Sequence, residues 1–176
     1  MDTAPAPCPS RPRRRDREIT DFRVIADILR TNHTAAVSLV DGDRPYGVML
    51  NYAPDLRDDD PRVRLIFHCA TAGRKLDCLR RNDCAAVFVN DVRAERLDLM
   101  GDRPSGHSTT RYRSVLLQGR IRLVDDLAER RRLAESFLRH FASDGSPIEM
   151  PPDAALAATQ FLLFTAEAIS GKQNLP

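Results

Sequence analysis

At 176 residues the chain can build one sizeable hydrophobic core and is too short for two. Its formal net charge of +2, from 27 basic and 25 acidic residues, excludes bulk electrostatic attraction to nucleic acid or to a membrane surface, so any anion site must be local. The four cysteines, Cys8, Cys69, Cys78 and Cys84, form no C-x-x-C pair and read as reduced thiols of a cytoplasmic protein, not a metal or redox centre.

Residues 1–18 combine Pro5, Pro7, Pro9 and Pro12 with Arg11, Arg13, Arg14, Arg15 and Arg17. They lack the apolar stretch of a secretory signal and cannot bury enough surface to offset chain entropy, so they read as a flexible tail on a domain spanning 19–176. Thr20 can cap a helix over 21–31, whose Phe22, Ile25, Ala26, Ile28 and Leu29 recur at helical spacing.

From Thr34 the period shortens. Ala35 to Val40, a turn at Asp41-Gly42-Asp43, and Pro45 to Tyr52 read as a hairpin. A loop rich in aspartate, from Asp55 to Asp60, leads to a strand from Val63 to Cys69, in which Val63, Leu65 and Phe67 point one way and Arg64, Ile66 and His68 the other. Thr71 to Asn82 reads as a short helix with Leu76 and Leu79 inward, followed by an apolar strand from Cys84 to Val89.

Residues 91–109 have no period and read as a long loop. Tyr112 to Val124 is a strand with Val115, Leu117, Ile121 and Leu123 on one face and Ser114, Leu116 and Gln118 on the other. Leu127 to Phe141 is an amphipathic helix with Leu133, Ala134, Phe137, Leu138 and Phe141 inward. A last strand from Gln160 to Ala168 ends in Ile169-Ser170-Gly171-Lys172. About six antiparallel strands with short helices between them fit a small β-barrel better than a parallel sheet, and no stretch approaches the roughly 18 apolar residues of a membrane helix.

The most informative segment is Phe67-His68-Cys69-Ala70-Thr71-Ala72-Gly73-Arg74-Lys75, which runs out of a strand and into the first turn of a helix. A helix N-terminus already carries partial positive charge and unpaired N–H groups, so Arg74 and Lys75 conflict with it unless an anion joins them. A phosphate resolves the conflict. Gly73 allows close backbone approach, the guanidinium can fork onto phosphate oxygens, and the ammonium adds a point charge. Lys75 and Lys172 are the chain's only lysines. His33, His107 and His140 show no spacing for metal or a catalytic triad, and no metal site is expected.

This segment resembles the phosphate-binding turn of the FMN-binding split-barrel proteins, the group that includes the pyridoxine 5'-phosphate oxidases. Arg14-Arg15-Asp16-Arg17-Glu18-Ile19, Pro45 to Tyr52, Thr110 to Val115 and Ser170-Gly171-Lys172 resemble blocks of its nitroimidazole-resistance branch. The resemblance implies a mainly β protein with some α, a six-stranded antiparallel split barrel with short flanking helices, that holds FMN. It implies that Tyr46, Gly47, Val48, Met49, Leu50 and Asn51 run beside the flavin, that His68 and Cys69 lie along its ring and ribityl chain, and that Arg74 and Lys75 hold its phosphate. Ser114 falls where relatives place a polar contact, and Lys172 reaches the flavin or a partner subunit. His68 is the one catalytic candidate, for substrate contact or proton delivery.

The resemblance further implies a homodimer with flavin at the seam and, as function, an FMN-dependent oxidoreductase acting on a small electron-poor substrate such as a nitro compound. A non-catalytic flavin store or sensor, or a barrel holding haem or the deazaflavin F420, are the alternatives. The chain ends Gly171-Lys172-Gln173-Asn174-Leu175-Pro176 in place of the arginine-containing substrate motif of the pyridoxine phosphate oxidases, which argues against vitamin B6 oxidation.

Overall fold

The computed structural model describes residues 12–57, 60–91, 111–142 and 146–175. A single 3-10 turn, Arg15–Arg17, leads to β1 (Glu18–Ile19), α1 (Phe22–Thr31), β2 (Thr34–Asp41), β3 (Arg44–Arg57), β4 (Asp60–Ala70), α2 (Arg74–Arg81) and β5 (Cys84–Asn90). Then come β6 (Tyr112–Val124), α3 (Leu127–Phe141), α4 (Asp153–Ala157) and β7 (Thr159–Asn174). The sheet runs β1-β7-β4-β3-β2-β5-β6 and is antiparallel in every pairing. Because β7 also pairs with β6, six strands close into a ring, and the two-residue β1 rides on β7 through Glu18↔Lys172 and Ile19↔Gly171. The expected six-stranded antiparallel barrel with short flanking helices is what forms.

The ring interior takes one residue in two from each strand: Val37 and Leu39 of β2, Leu65 and Phe67 of β4, Val87 and Val89 of β5, Val115 and Leu117 of β6. Ile28 and Leu29 of α1 and Leu76, Cys78 and Leu79 of α2 bury into the same cluster. Outside the ring, α3 and α4 cover a second apolar cluster that includes Ala53, Ile66, Phe161 and Leu163. The β7 segment from Gln160 to Phe164 is therefore buried on both faces, which explains its unbroken apolar run after Gln160. Gln160 itself donates from Nε2 to the carbonyls of Val124 and Phe161, both at 3.0 Å.

Several elements differ from expectation for definable reasons. The α1 cap is Asp21, whose Oδ1 accepts from the Arg23 N–H at 2.8 Å, so Thr20 stays outside the helix. Phe22 and Phe141, expected inward, are 49% and 41% exposed, because each lies at a helix end beyond the surface that the helix covers. The aspartate-rich loop is shorter, since β3 continues to Arg57 and β4 begins at Asp60, with Arg57↔Asp60 paired. α4 is too short to leave a periodic signal. The last strand does not end at Ala168: a bulge at Gln118/Gly119 leaves Glu167 unpaired in the ladder, and β7 continues to Asn174. Residues 1–11 of the expected tail and 92–110 of the expected loop, with His107, lie outside the described residues. No helix among the described residues is long and apolar enough to cross a membrane.

At the bulge, a Cβ on Gly119 would lie 2.0 Å from the Thr165 carbonyl oxygen. The β6–β7 closure therefore depends on having no side chain there. Gly119→Ala is expected to lower unfolding free energy by about 1–3 kcal/mol, the usual cost of overpacking, read as a fall in urea midpoint at unchanged slope.

Candidate functional site

β3 is shared between two partners. Its first part ladders with β2 from Asp41↔Arg44 to Thr34↔Asn51, whereas pairing with β4 begins only at Tyr52↔Phe67. Past that point β4 continues through His68, Cys69 and Ala70 while pairing with β7. The two strands thus part in a cleft, and among the described residues the β4-side edge of residues 44–51 has no ladder partner for its backbone donors and acceptors. The hairpin that sets this edge turns at Gly42-Asp43, with Gly42 at φ 66°, as a two-residue loop demands.

The start of α2 lies at this cleft. Gly73 precedes the helix at φ 129° and ψ 165°, a backbone conformation L side chains rarely adopt, and offers no side chain to cap the first N–H groups. Arg74 reaches back across the cleft: its guanidinium stacks over the Tyr46 ring, 4.5 Å from the centroid, and its Nε donates to Asp41 Oδ2 at 2.8 Å. Arg81 donates to the other oxygen of the same carboxylate at 2.5 Å. The Arg74 hydrogen bond, reinforced by the charge of Arg81, holds the Asp41 carboxyl below the usual carboxylate range.

Lys75 makes no ion pair with any described residue; its ammonium lies against the Cys69 thiol. Burial pushes that thiol's pKa up, against the opposing pull of Lys75. Two cations, Arg74 and Lys75, therefore open the helix, and since Arg74 shares its one carboxylate, Asp41, with Arg81 from the far end of α2, Lys75 is left without an anion among the described residues. This surplus of positive charge, beside an uncapped helix N-terminus and a free strand edge, can hold a phosphate. The same strand edge can hydrogen-bond a planar polar group.

The other expected residues divide between faces. Tyr46, Val48 and Leu50 lean on the barrel core, while Gly47, Met49 and Asn51 face outward. His68 and Cys69, both expected along the flavin ring and ribityl chain, point to opposite sides of β4: Cys69 packs toward the barrel core and Lys75, His68 toward Phe137 of α3. Ser114 and Lys172 pair with each other across β6 and β7, and the Lys172 ammonium sits 5.7 Å from the Tyr112 ring centroid. Since β2 and β5 lie between β3 and β6, Ser114 is three strand spacings, about 14 Å, from β3. A single chain does not bring Ser114 or Lys172 to Arg74.

Ser114 does share the outer sheet face with Met49. On that face Met49, Ala36 and Phe88 form one row across β3, β2 and β5, and Gly47, Ser38 and Ala86 form the next. Met49 is 62% and Phe88 47% exposed, and the other four residues of these two rows, Ala36, Gly47, Ser38 and Ala86, are small.

Asp41, read from sequence as a turn residue, is the counter-ion of the cluster; nothing local marks it, because Arg74 and Arg81 reach it only through tertiary contact. His33 and His140 likewise meet only in the fold, with Nδ1 and Nε2 at 3.1 Å. Burial, then the neighbouring His33, lower the His140 pKa. Among the described residues no three His, Cys, Asp or Glu side chains gather as a metal site.

A comparison with curated proteins finds no match. Among solved structures, the chain is similar to an FAD and haem binding protein from Mycobacterium smegmatis, with TM-score 0.74, 23% identity, and 91% of this chain and 74% of that one covered. It is also similar to a candidate 5-nitroimidazole antibiotic resistance protein from Bacteroides thetaiotaomicron, with TM-score 0.69, 21% identity and coverage of 89% and 86%. A third is an FAD-binding protein from Mesorhizobium loti, with TM-score 0.60, 20% identity and coverage of 90% and 98%. At these identities the likeness is one of fold. The family model for pyridoxamine 5'-phosphate oxidase matches residues 21–173, and over that span, most of its length, this chain belongs to the pyridoxamine 5'-phosphate oxidase family.

Proposed function

We propose that the protein binds FMN in the cleft between β3 and β4 and works as an FMN-dependent oxidoreductase on small electron-poor compounds, nitro compounds among them. The observation that carries this reading is the surplus of cations at the α2 start beside a free strand edge. The residues fit the group: Lys75 lacks an anion among the described residues, and Gly73 leaves the first amides of α2 open. That two fold neighbours are FAD-binding proteins, one of them also binding haem, supports a flavin over other phosphates.

In this reading Arg74 and Lys75 hold the phosphate, and the backbone of Tyr46 to Asn51 meets the polar edge of the ring system. Bound FMN supplies the electron or hydride transfer. Cys69, its thiol kept protonated by burial, packs along the site and is no nucleophile. We further propose a homodimer formed through the outer face of Met49, Ala36 and Phe88, so that Ser114 and Lys172 serve the partner's site. The unpaired thiols Cys69, Cys78 and Cys84 support a cytoplasmic setting.

A second reading, a flavin holder without turnover, draws on His68 lying on the far side of β4 from Lys75, which leaves the cleft without an evident acid or base. Anaerobic addition of a nicotinamide cofactor separates the two: bleaching of the flavin followed by recovery with a nitro compound supports the enzyme, and persistent colour the holder. A Soret band in the purified protein would replace flavin with haem.

Replacing Arg74 and Lys75 together with alanine is expected to weaken FMN binding about 10²-fold or more, at about 1.5–3 kcal/mol per charge-assisted contact, in a fluorescence titration of a folded variant. Unchanged affinity would move the phosphate elsewhere. Asp41→Asn frees two guanidinium groups and is expected to tighten FMN about two- to fivefold in the same titration. Met49→Arg with Phe88→Arg should convert the protein to a monomer by analytical ultracentrifugation; a dimer persisting in that variant rules this face out.

A further inference from the structure

The face of β4 turned away from the cations carries a separate feature. There His68 stands between two aromatic rings, edge-on to Phe137 at 4.6 Å between centroids and tilted to Phe161 at 5.9 Å. It borders a half-open cavity of about 170 Å³ whose walls include Ala134, Phe137, Leu156, Thr159 and Phe161. α3 and α4 present small side chains to this gap, Ala134 and Ala155.

Among the described residues the wall has a single polar side chain without a protein partner, that of His68. The Thr159 hydroxyl donates to the Ala155 carbonyl at 2.9 Å. Neither ring nitrogen of His68 has a hydrogen-bond partner among the described residues. Burial lowers the pKa of His68, so at neutral pH the imidazole offers one N–H and one lone pair. His68 is exposed at the open side of the cavity, where its ring nitrogens can meet water, and a ligand's polar group would take the place of that water. Among the described residues no carboxylate, ammonium or guanidinium lines the cavity, so a charged ligand would go unpaired. Its size is near that of apolar cavities of about 150 Å³ that accept benzene.

We propose that this cavity binds a small uncharged aromatic molecule of one ring, packed against Phe137 and Phe161 and hydrogen-bonded through one hydroxyl, carbonyl or ring nitrogen to His68. A tricyclic flavin head exceeds the space, so the site is distinct from the phosphate cluster and independent of the FMN reading.

Phenol, toluene and benzoate serve as probes in ligand-observed NMR titrations of the full chain. Phenol is expected to bind saturably and about threefold to tenfold more tightly than toluene, the margin of one net hydrogen bond, and benzoate not to bind. His68→Leu should bring phenol down to the toluene level. Ala134→Leu should abolish binding of both, and Ala155→Leu, at the exposed rim, should weaken both should the first variant not fold. The Arg74→Ala, Lys75→Ala variant should bind phenol as before, which separates this result from the fate of the flavin site. Absence of saturable phenol binding, a preference for benzoate, full retention of phenol in the filling variants, or its loss in the double alanine variant would each overturn the proposal.

Discussion

The structure depends on where β3 and β4 stop pairing. Backbone donors and acceptors must be satisfied somewhere, and a ring of strands normally satisfies them by closing completely. Here closure is achieved by β7, which pairs with β4 over Thr159 to Thr165 and with β6 over Phe161 to Asn174. The β3–β4 seam zips from Arg57 to Tyr52 and then opens. Everything proposed about the main site follows from that opening: a strand edge without a ladder partner in β4, and a helix start delivered to it by the chain leaving β4.

Charge at the opening runs against the usual rule. Helix N-termini favour acidic residues, and α2 does place Asp77 in its first turn. Yet Arg74 and Lys75 come first, and Arg81, one helix length on, turns back to the same carboxylate as Arg74. Asp77 pairs with Arg80, so Asp41 alone faces Arg74 and Arg81, and no carboxylate among the described residues faces Lys75. Stacking on Tyr46 fixes the Arg74 guanidinium without neutralising it, which leaves the cluster ordered and still cationic.

β4 works as a partition because side chains alternate along a strand. Cys69 looks toward Lys75, and His68 looks toward α3 and the apolar cavity. One strand end thus serves two environments, one charged and open, the other aromatic and neutral. Proteins that share this fold differ in what they hold, as expected when a scaffold is fixed and chemistry resides in a few side chains.

Much of this was legible in the amino-acid order. Strict alternation in Tyr112 to Val124 and helical spacing in Leu127 to Phe141 set those elements to their observed ends, because burial on one face leaves a period in the sequence. The strand-turn-Gly-Arg-Lys segment likewise drew attention to the α2 start, where the phosphate site is proposed, since two cations at a helix start are locally unfavourable. What only the tertiary structure decided are relations between distant residues: Asp41 as counter-ion to Arg74 and Arg81, His33 meeting His140, and the bulge at Gly119 that carries β7 past Glu167 to Asn174. The separation of His68 from Cys69 was implicit in strand periodicity. Which environment each would meet depended on α2 packing at one side of β4 and α3 at the other. Local pattern encodes which face a residue shows; only the closed ring determines what that face looks upon.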